Sequence, residues 1–147
     1  MNITPKNLLI LVLVLAGFTA GCASTKPETF SFVQMADTQL GMGGYEHDLE
    51  TLHLAVDQIN DMEPQPDFVI VCGDLVETPA DDKQYADYLE ATSGFEMPVY
   101  NVAGNHDVLN GPRPDVPGYY REKVGPDYYY FDHKDYRFVV VNSQLWK

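Results

Sequence analysis

Residues 67–74 read DFVIVCGD. A short, unbroken apolar run of this kind fits a strand buried on both faces, as parallel strands are. Gly73 and Asp74 stand where it ends. Upstream, FSFVQMA (30–36) alternates apolar and polar residues and predicts another strand, followed by Asp37 and the glycine-rich GMGG (41–44). Between the two, Leu49, Leu52, Val56 and Ile59 recur every three or four positions. That spacing predicts a helix from Glu46 to about Met62 with one buried face, ended by Pro64 and Pro66. Downstream, ETPADDK (77–83) reads as a loop and helix start, Tyr85 to Ala91 as a weaker helix, and MPVYNVA (97–103) as a third strand. Strand–helix–strand–helix–strand predicts an α/β fold, a parallel sheet with helices on its faces. Ligand sites in such sheets lie at the carboxyl ends of the strands. Further on, Tyr119 to Val124 suits a helical turn. DYYYFD (127–132) and YRFVVVN (136–142) predict a hairpin around HKD (133–135).

Asp37 follows the first strand, Asp74 the second, and Asn105, His106 and Asp107 the third. Parallel neighbours would bring all of them to one sheet edge. Any one of these loops has a plain reading as a polar turn; three in succession, each directly after an apolar strand, point to a site. Two nearby carboxylates ionise together only around a positive charge, and a divalent cation is the natural one. Carboxylate and amide oxygens suit such an ion, imidazole nitrogen a softer one. Two cations about 3.5–4 Å apart can clamp a phosphate and lower the pKa of water from ~15.7 towards ~7.

The amino terminus is organised differently. After MNITPKN comes a run without charge from Leu8 to Ala20, shorter than the ~20 residues that span a membrane and laid out like a secretory signal. Thr19-Ala20-Gly21-Cys22 resembles a bacterial lipobox, with Thr19 in place of the usual Leu. The expected organisation is a lipoprotein signal peptide over 1–21, a tether over 22–29 starting at lipidated Cys22, and one domain over 30–147. The expected location is the bacterial cell envelope, as an exported lipoprotein on the periplasmic or outer face, held through the lipid on Cys22. The chain carries a net charge of −13, and losing 1–21 removes only Lys6. Such a surface repels polyanions at long range, so no nucleic-acid-binding surface is expected. Cys72, alone after Cys22, reads as a small buried residue.

The ordered pieces ADTQ (36–39), VCGDLV (71–76) and GNHD (104–107) resemble the calcineurin-like metallophosphoesterase family. The resemblance covers residues 30–147 and implies the amino-terminal half of a four-layer αββα sandwich, with the expectation that the domain is truncated at its carboxyl end. It implies two divalent metal ions (Mn, Mg, Fe or Zn) and a phosphorylated substrate. Asp37 would bind the first ion, Asp74 would bridge, and Asn105 would bind the second. His106 would contact the phosphate and protonate the leaving oxygen, with Asp107 fixing its tautomer. The family's first motif usually reads Asp-x-His; here it is Asp37-Thr38-Gln39, and Gln39 as a neutral oxygen ligand favours Mn or Mg, Mn foremost. The Asp-x-Gln variant is close to the calcineurin-like serine/threonine phosphatases, which favours phosphomonoesters over phosphodiesters. The family also takes histidine ligands from its second half, and His133 is the only histidine after His106. That supports an alternative, a catalytically incomplete envelope lipoprotein acting as a binding module.

The remaining candidates have plainer readings. His47 follows the glycine loop and is a possible substrate neighbour, His53 a partly buried surface residue, and His133 a turn residue. Arg113 reads as a solvated loop charge, and Tyr119, Tyr120 and Tyr128 to Tyr130 as core and cover. An unpaired apolar last strand predicts poor solubility or self-association.

Overall fold

The computed structural model describes residues 28–109 and 115–145; the expected signal peptide, most of the tether and Arg113 lie outside the described residues. Three strands, β1 (Phe32–Met35), β2 (Phe68–Cys72) and β3 (Val99–Val102), form a parallel sheet in the order β1-β2-β3. Phe32 stands opposite Phe68 and Val69 opposite Val99. Helix α1 (Tyr45–Asn60) joins β1 to β2, and α2 (Asp82–Thr92) joins β2 to β3. A one-turn helix, α3 (Asn105–Val108), starts inside the GNHD stretch, and α4 (Val116–Lys123) follows. Strands β4 (Tyr129–His133) and β5 (Tyr136–Val140) form an antiparallel hairpin, ending in a 3-10 turn over Ser143–Leu145.

The unbroken apolar run of β2 is explained by its two coverings. Val69 and Val71, fully buried, pack with Leu52, Val56 and Ile59 of α1 and with Tyr85, Tyr88 and Ala91 of α2. On the opposite face, Phe68 meets Phe131 and Phe138 of the hairpin at ring distances of 5.4 and 5.2 Å, and Tyr100 stacks on Phe131. The sheet therefore has helices on one face and a hairpin on the other, not helices on both. The cause is topological. With strands in sequential order, two right-handed crossovers put both helices on the same side.

Two local expectations are corrected. His133 ends β4 instead of lying in the turn, which is Lys134-Asp135. Its Nε2 lies 3.1 Å from Asp67 Oδ1, and its ring edge meets Phe30 and Phe68, tying the hairpin to the amino ends of β1 and β2. Cys72 is half-buried, the last position of β2 before the chain turns.

Among the described residues β5 pairs with β4 alone. Its outward side chains include Val139, 66% exposed and paired with exposed Tyr130 of β4. An open strand edge next to apolar surface favours pairing with another chain. The 147-residue chain is expected to self-associate, seen as a sedimentation coefficient that rises with concentration; a concentration-independent monomer is the contrary result.

Candidate metal centre

The three strand ends are built to converge. Asp37, just beyond β1, donates its N–H to the Gly73 carbonyl at 3.1 Å, and Gln39 donates to the Asp74 carbonyl at 2.8 Å. Leu40 then pairs with Val76 in an isolated parallel bridge, so the β1 and β2 paths rejoin beyond the site. Between these fastenings Asp37, Gln39 and Asp74 hold left-handed backbone angles, φ +52°, +38° and +47°. Such conformations in non-glycine residues cluster where surrounding structure aims a side chain at a ligand.

Gly104 makes the approach of β3 possible. A Cβ on it would lie 2.2 Å from both the Asp74 backbone nitrogen and Asp74 Oδ1. A Cβ on Gly73, at φ +81°, would lie 3.0 Å from the Gly104 Cα. Gly104→Ala is expected to force the β2 and β3 tips apart, costing about 1–3 kcal/mol of stability and abolishing divalent-cation binding, both measurable on one sample by urea unfolding and calorimetry.

The site residues then fall into place. Asp37, Asp74 and Asn105 line one cavity of about 270 Å³, together with Gly104, Ser143 and Gln144. Asp74 Oδ1 accepts the His106 backbone N–H at 2.9 Å, which fixes its carboxylate plane. Ser143 and Gln144 reach the cavity because Asn142 is fully buried, donating from Nδ2 to Asp127 and accepting at its carbonyl from the Tyr128 hydroxyl. Gln39 is not on this wall. Its amide nitrogen donates to Glu77 Oε2 at 2.9 Å, while the expected ligand role would use its amide oxygen.

Glu77 is the residue that the sequence reading missed. The His106 Nδ1 lies 3.0 Å from the Glu77 carbonyl oxygen and 3.2 Å from its Oε2. Both partners accept, so Nδ1 carries the proton and Nε2 is left for chemistry. The Glu77 carbonyl, then its carboxylate and Asp74, raise the His106 pKa above the ordinary histidine value. Asp107 does not orient this ring. It is fully buried, and its carboxylate accepts N–H groups from Leu75 (3.0 Å), Val76 (3.4 Å) and Gly104 (2.7 Å). Burial pushes its pKa up to about 7, against those backbone donors. Asp107 thus joins the loop after β2 to the loop after β3. The signal for Glu77 was available: it is the first polar residue after Leu75 and Val76, which are apolar and fully buried.

The other histidines lie elsewhere. His47, exposed on α1, shares a second cavity of about 310 Å³ with Asp37 and Asp48. The His53 side chain is 48% exposed beside Glu90, more open than expected, because it sits off the apolar stripe of α1. Tyr119 and Tyr120 are buried in the core and Tyr129 donates to the Asn101 carbonyl, as core and cover require.

Among the described residues no three His, Cys, Asp or Glu side chains gather as a cation site. The expected ligands on the cavity wall, Asp37, Asp74 and Asn105, offer two carboxylates and a carboxamide, hard oxygen donors that fit Mg²⁺ or Mn²⁺; Ser143, Gln144 and Cys72 line the same cavity. Two cations need more donors than these three side chains offer, leaving positions for water, phosphate or further ligands.

The parallel sheet thus carries acidic and amide groups at its carboxyl edge, beside an imidazole held by a carboxylate. The chain belongs to the calcineurin-like phosphoesterase family, whose model matches residues 30–146. It is 35% identical to the serine/threonine-protein phosphatase CPPED1 of Danio rerio, over 80% of this chain and 44% of that protein. It is 30% identical to the human protein of the same name, over 90% of this chain and 48% of that one. Identity is also 30% to a manganese-dependent ADP-ribose/CDP-alcohol diphosphatase of Oryza sativa, over 82% of this chain and 43% of that protein. The chain thus spans about half the length of the curated relatives it matches.

Proposed function

We propose that this chain carries the first half of a dinuclear, metal-dependent phosphoester hydrolase acting on phosphomonoesters, tethered to the bacterial envelope through a lipid on Cys22. The reading rests on one observation above others: Asp37, Asp74 and Asn105 share a cavity wall, and Asn105 is followed directly by His106. Asp37, Asp74 and Asn105 would hold the cations, with Mn²⁺ preferred for an all-oxygen set. When bound, the cations supply Lewis-acid stabilisation of the phosphoryl oxygens and a water of lowered pKa. His106, its Nδ1–H held by Glu77, presents Nε2 to the ester oxygen and gives it a proton as the bond breaks. Gln39 braces Glu77, and Asp74 fixes the His106 backbone, so the imidazole needs no rearrangement to act. The relatives' printed names, a serine/threonine-protein phosphatase and a manganese-dependent diphosphatase, support phosphoester chemistry and the metal preference.

A second reading has its own support. The gathered donors are few, which favours a binding module that retains the scaffold without turnover. Mn²⁺ titration followed by p-nitrophenyl phosphate hydrolysis separates the two. The enzyme reading expects saturable Mn²⁺ binding and Mn²⁺-dependent hydrolysis. Asp74→Asn is expected to weaken Mn²⁺ binding by at least about tenfold, the loss of one charged ligand from the site. Mn²⁺ binding without hydrolysis favours the module; hydrolysis that survives Asp74→Asn unchanged counts against the assigned centre.

A further inference from the structure

A separate cavity of about 230 Å³ opens beside His106, lined by Glu77, Pro79, Asn105, His106 and Leu109. It shares Asn105 with the cavity bearing Asp37 and Asp74. A molecule lying across Asn105 and His106 therefore meets acidic and amide groups on one side and two apolar side chains on the other. Both apolar walls are fixed from behind. Leu109 donates its N–H to the Asn105 carbonyl at 2.9 Å and packs against the core. Pro79 belongs to a loop in which Thr78 N–H donates to the Gln84 side chain at 2.8 Å and Asp81 caps α2 through Gln84 N–H at 2.9 Å. The volume lies below the ~300–1,000 Å³ of pockets that enclose a whole drug-sized ligand, so it suits one part of a substrate.

We propose that this cavity seats the leaving alcohol of the phosphate ester, with Pro79 and Leu109 as the residues that set its size and polarity. The inference rests on the phosphoester reading above and deepens it. A group in this cavity has its ester oxygen next to His106, where the proton must be delivered. The substrate class is a phosphomonoester of a compact, uncharged or cationic alcohol with an apolar face. A second phosphate is disfavoured by the Glu77 carboxylate and the chain's net charge of −13.

Binding probes that cannot be hydrolysed test this without turnover. Inorganic phosphate, methylphosphonate and phenylphosphonate are titrated into the Mg²⁺-loaded full chain while NMR follows the Asn105 and His106 amides and the Leu109 methyls. All three are expected to move Asn105 and His106, and phenylphosphonate alone to move the Leu109 methyls. Leu109→Phe, which fills the cavity, is expected to weaken phenylphosphonate about tenfold (~1.4 kcal/mol) with phosphate affinity unchanged. Pro79→Ala, opening the opposite wall, is a second variant with a loss in the same direction. Unmoved Leu109 methyls, or variants that weaken phosphate and phenylphosphonate alike, overturn the assignment. Failure of every probe to move Asn105 and His106 overturns the phosphoester reading, and this inference with it.

Discussion

His106→Ala is expected to lower Mn²⁺-dependent hydrolysis of p-nitrophenyl phosphate by roughly 10²–10⁴-fold, the usual contribution of a positioned general acid. Mn²⁺ affinity and the urea midpoint should barely change, because the bond that fixes Asp74 comes from the His106 backbone and not from its ring. Glu77→Gln separates the acid from its support. It keeps the backbone carbonyl on Nδ1 but removes the negative charge that helps to raise the His106 pKa. The acid must be protonated to act, so a raised pKa keeps it active to higher pH. The alkaline limb of the rate profile should therefore move to lower pH in Glu77→Gln. A His106→Ala chain with undiminished turnover would falsify the assignment of the proton to this imidazole.

The second large effect is on folding. Asp107→Ala is expected to destabilise the chain by at least about 3 kcal/mol, read from urea unfolding, because the N–H groups of Leu75, Val76 and Gly104 lose their acceptor and each buried unsatisfied donor costs ~1–3 kcal/mol. Asp107→Asn removes the titrating group and sets an NH2 against one of these N–H donors, so its test is the slope with pH and not the absolute stability. The folded pKa is raised to about 7 from the ordinary 3.8, chiefly by burial. A group raised in this way contributes its stability below the unfolded value and loses it as pH rises through the folded one. The wild-type chain should thus lose stability between about pH 4 and 7, and the Asp107→Asn chain should lack that slope. A slope common to both chains would place its origin elsewhere.

The frame of the site was legible because it is written in local signals. The apolar run of β2, the alternation in β1 and the stripe of α1 each follow from burial, and a polar residue directly after a strand end is placed by the strand itself. The partners of those residues were not legible. The family resemblance implied that Asp107 orients His106; within the turn of α3 its carboxylate faces the buried backbone of Leu75 and Val76 while the imidazole faces Glu77. Gln39 was assigned by the spacing of its motif, but its contact is to a residue 38 positions away, a separation no periodicity encodes. Placing α1 and α2 on one face required strand order, which local pattern does not contain.

The bridge between Leu40 and Val76 has a thermodynamic consequence. Asp37 and Asp74 lie in short backbone arches anchored at both ends, so most of the chain entropy of presenting these carboxylates is lost during folding and not at the moment an ion arrives. Exchange of one divalent ion for another should then leave the arches' shape largely intact, with selectivity decided by ligand chemistry and hydration more than by movement of the main chain.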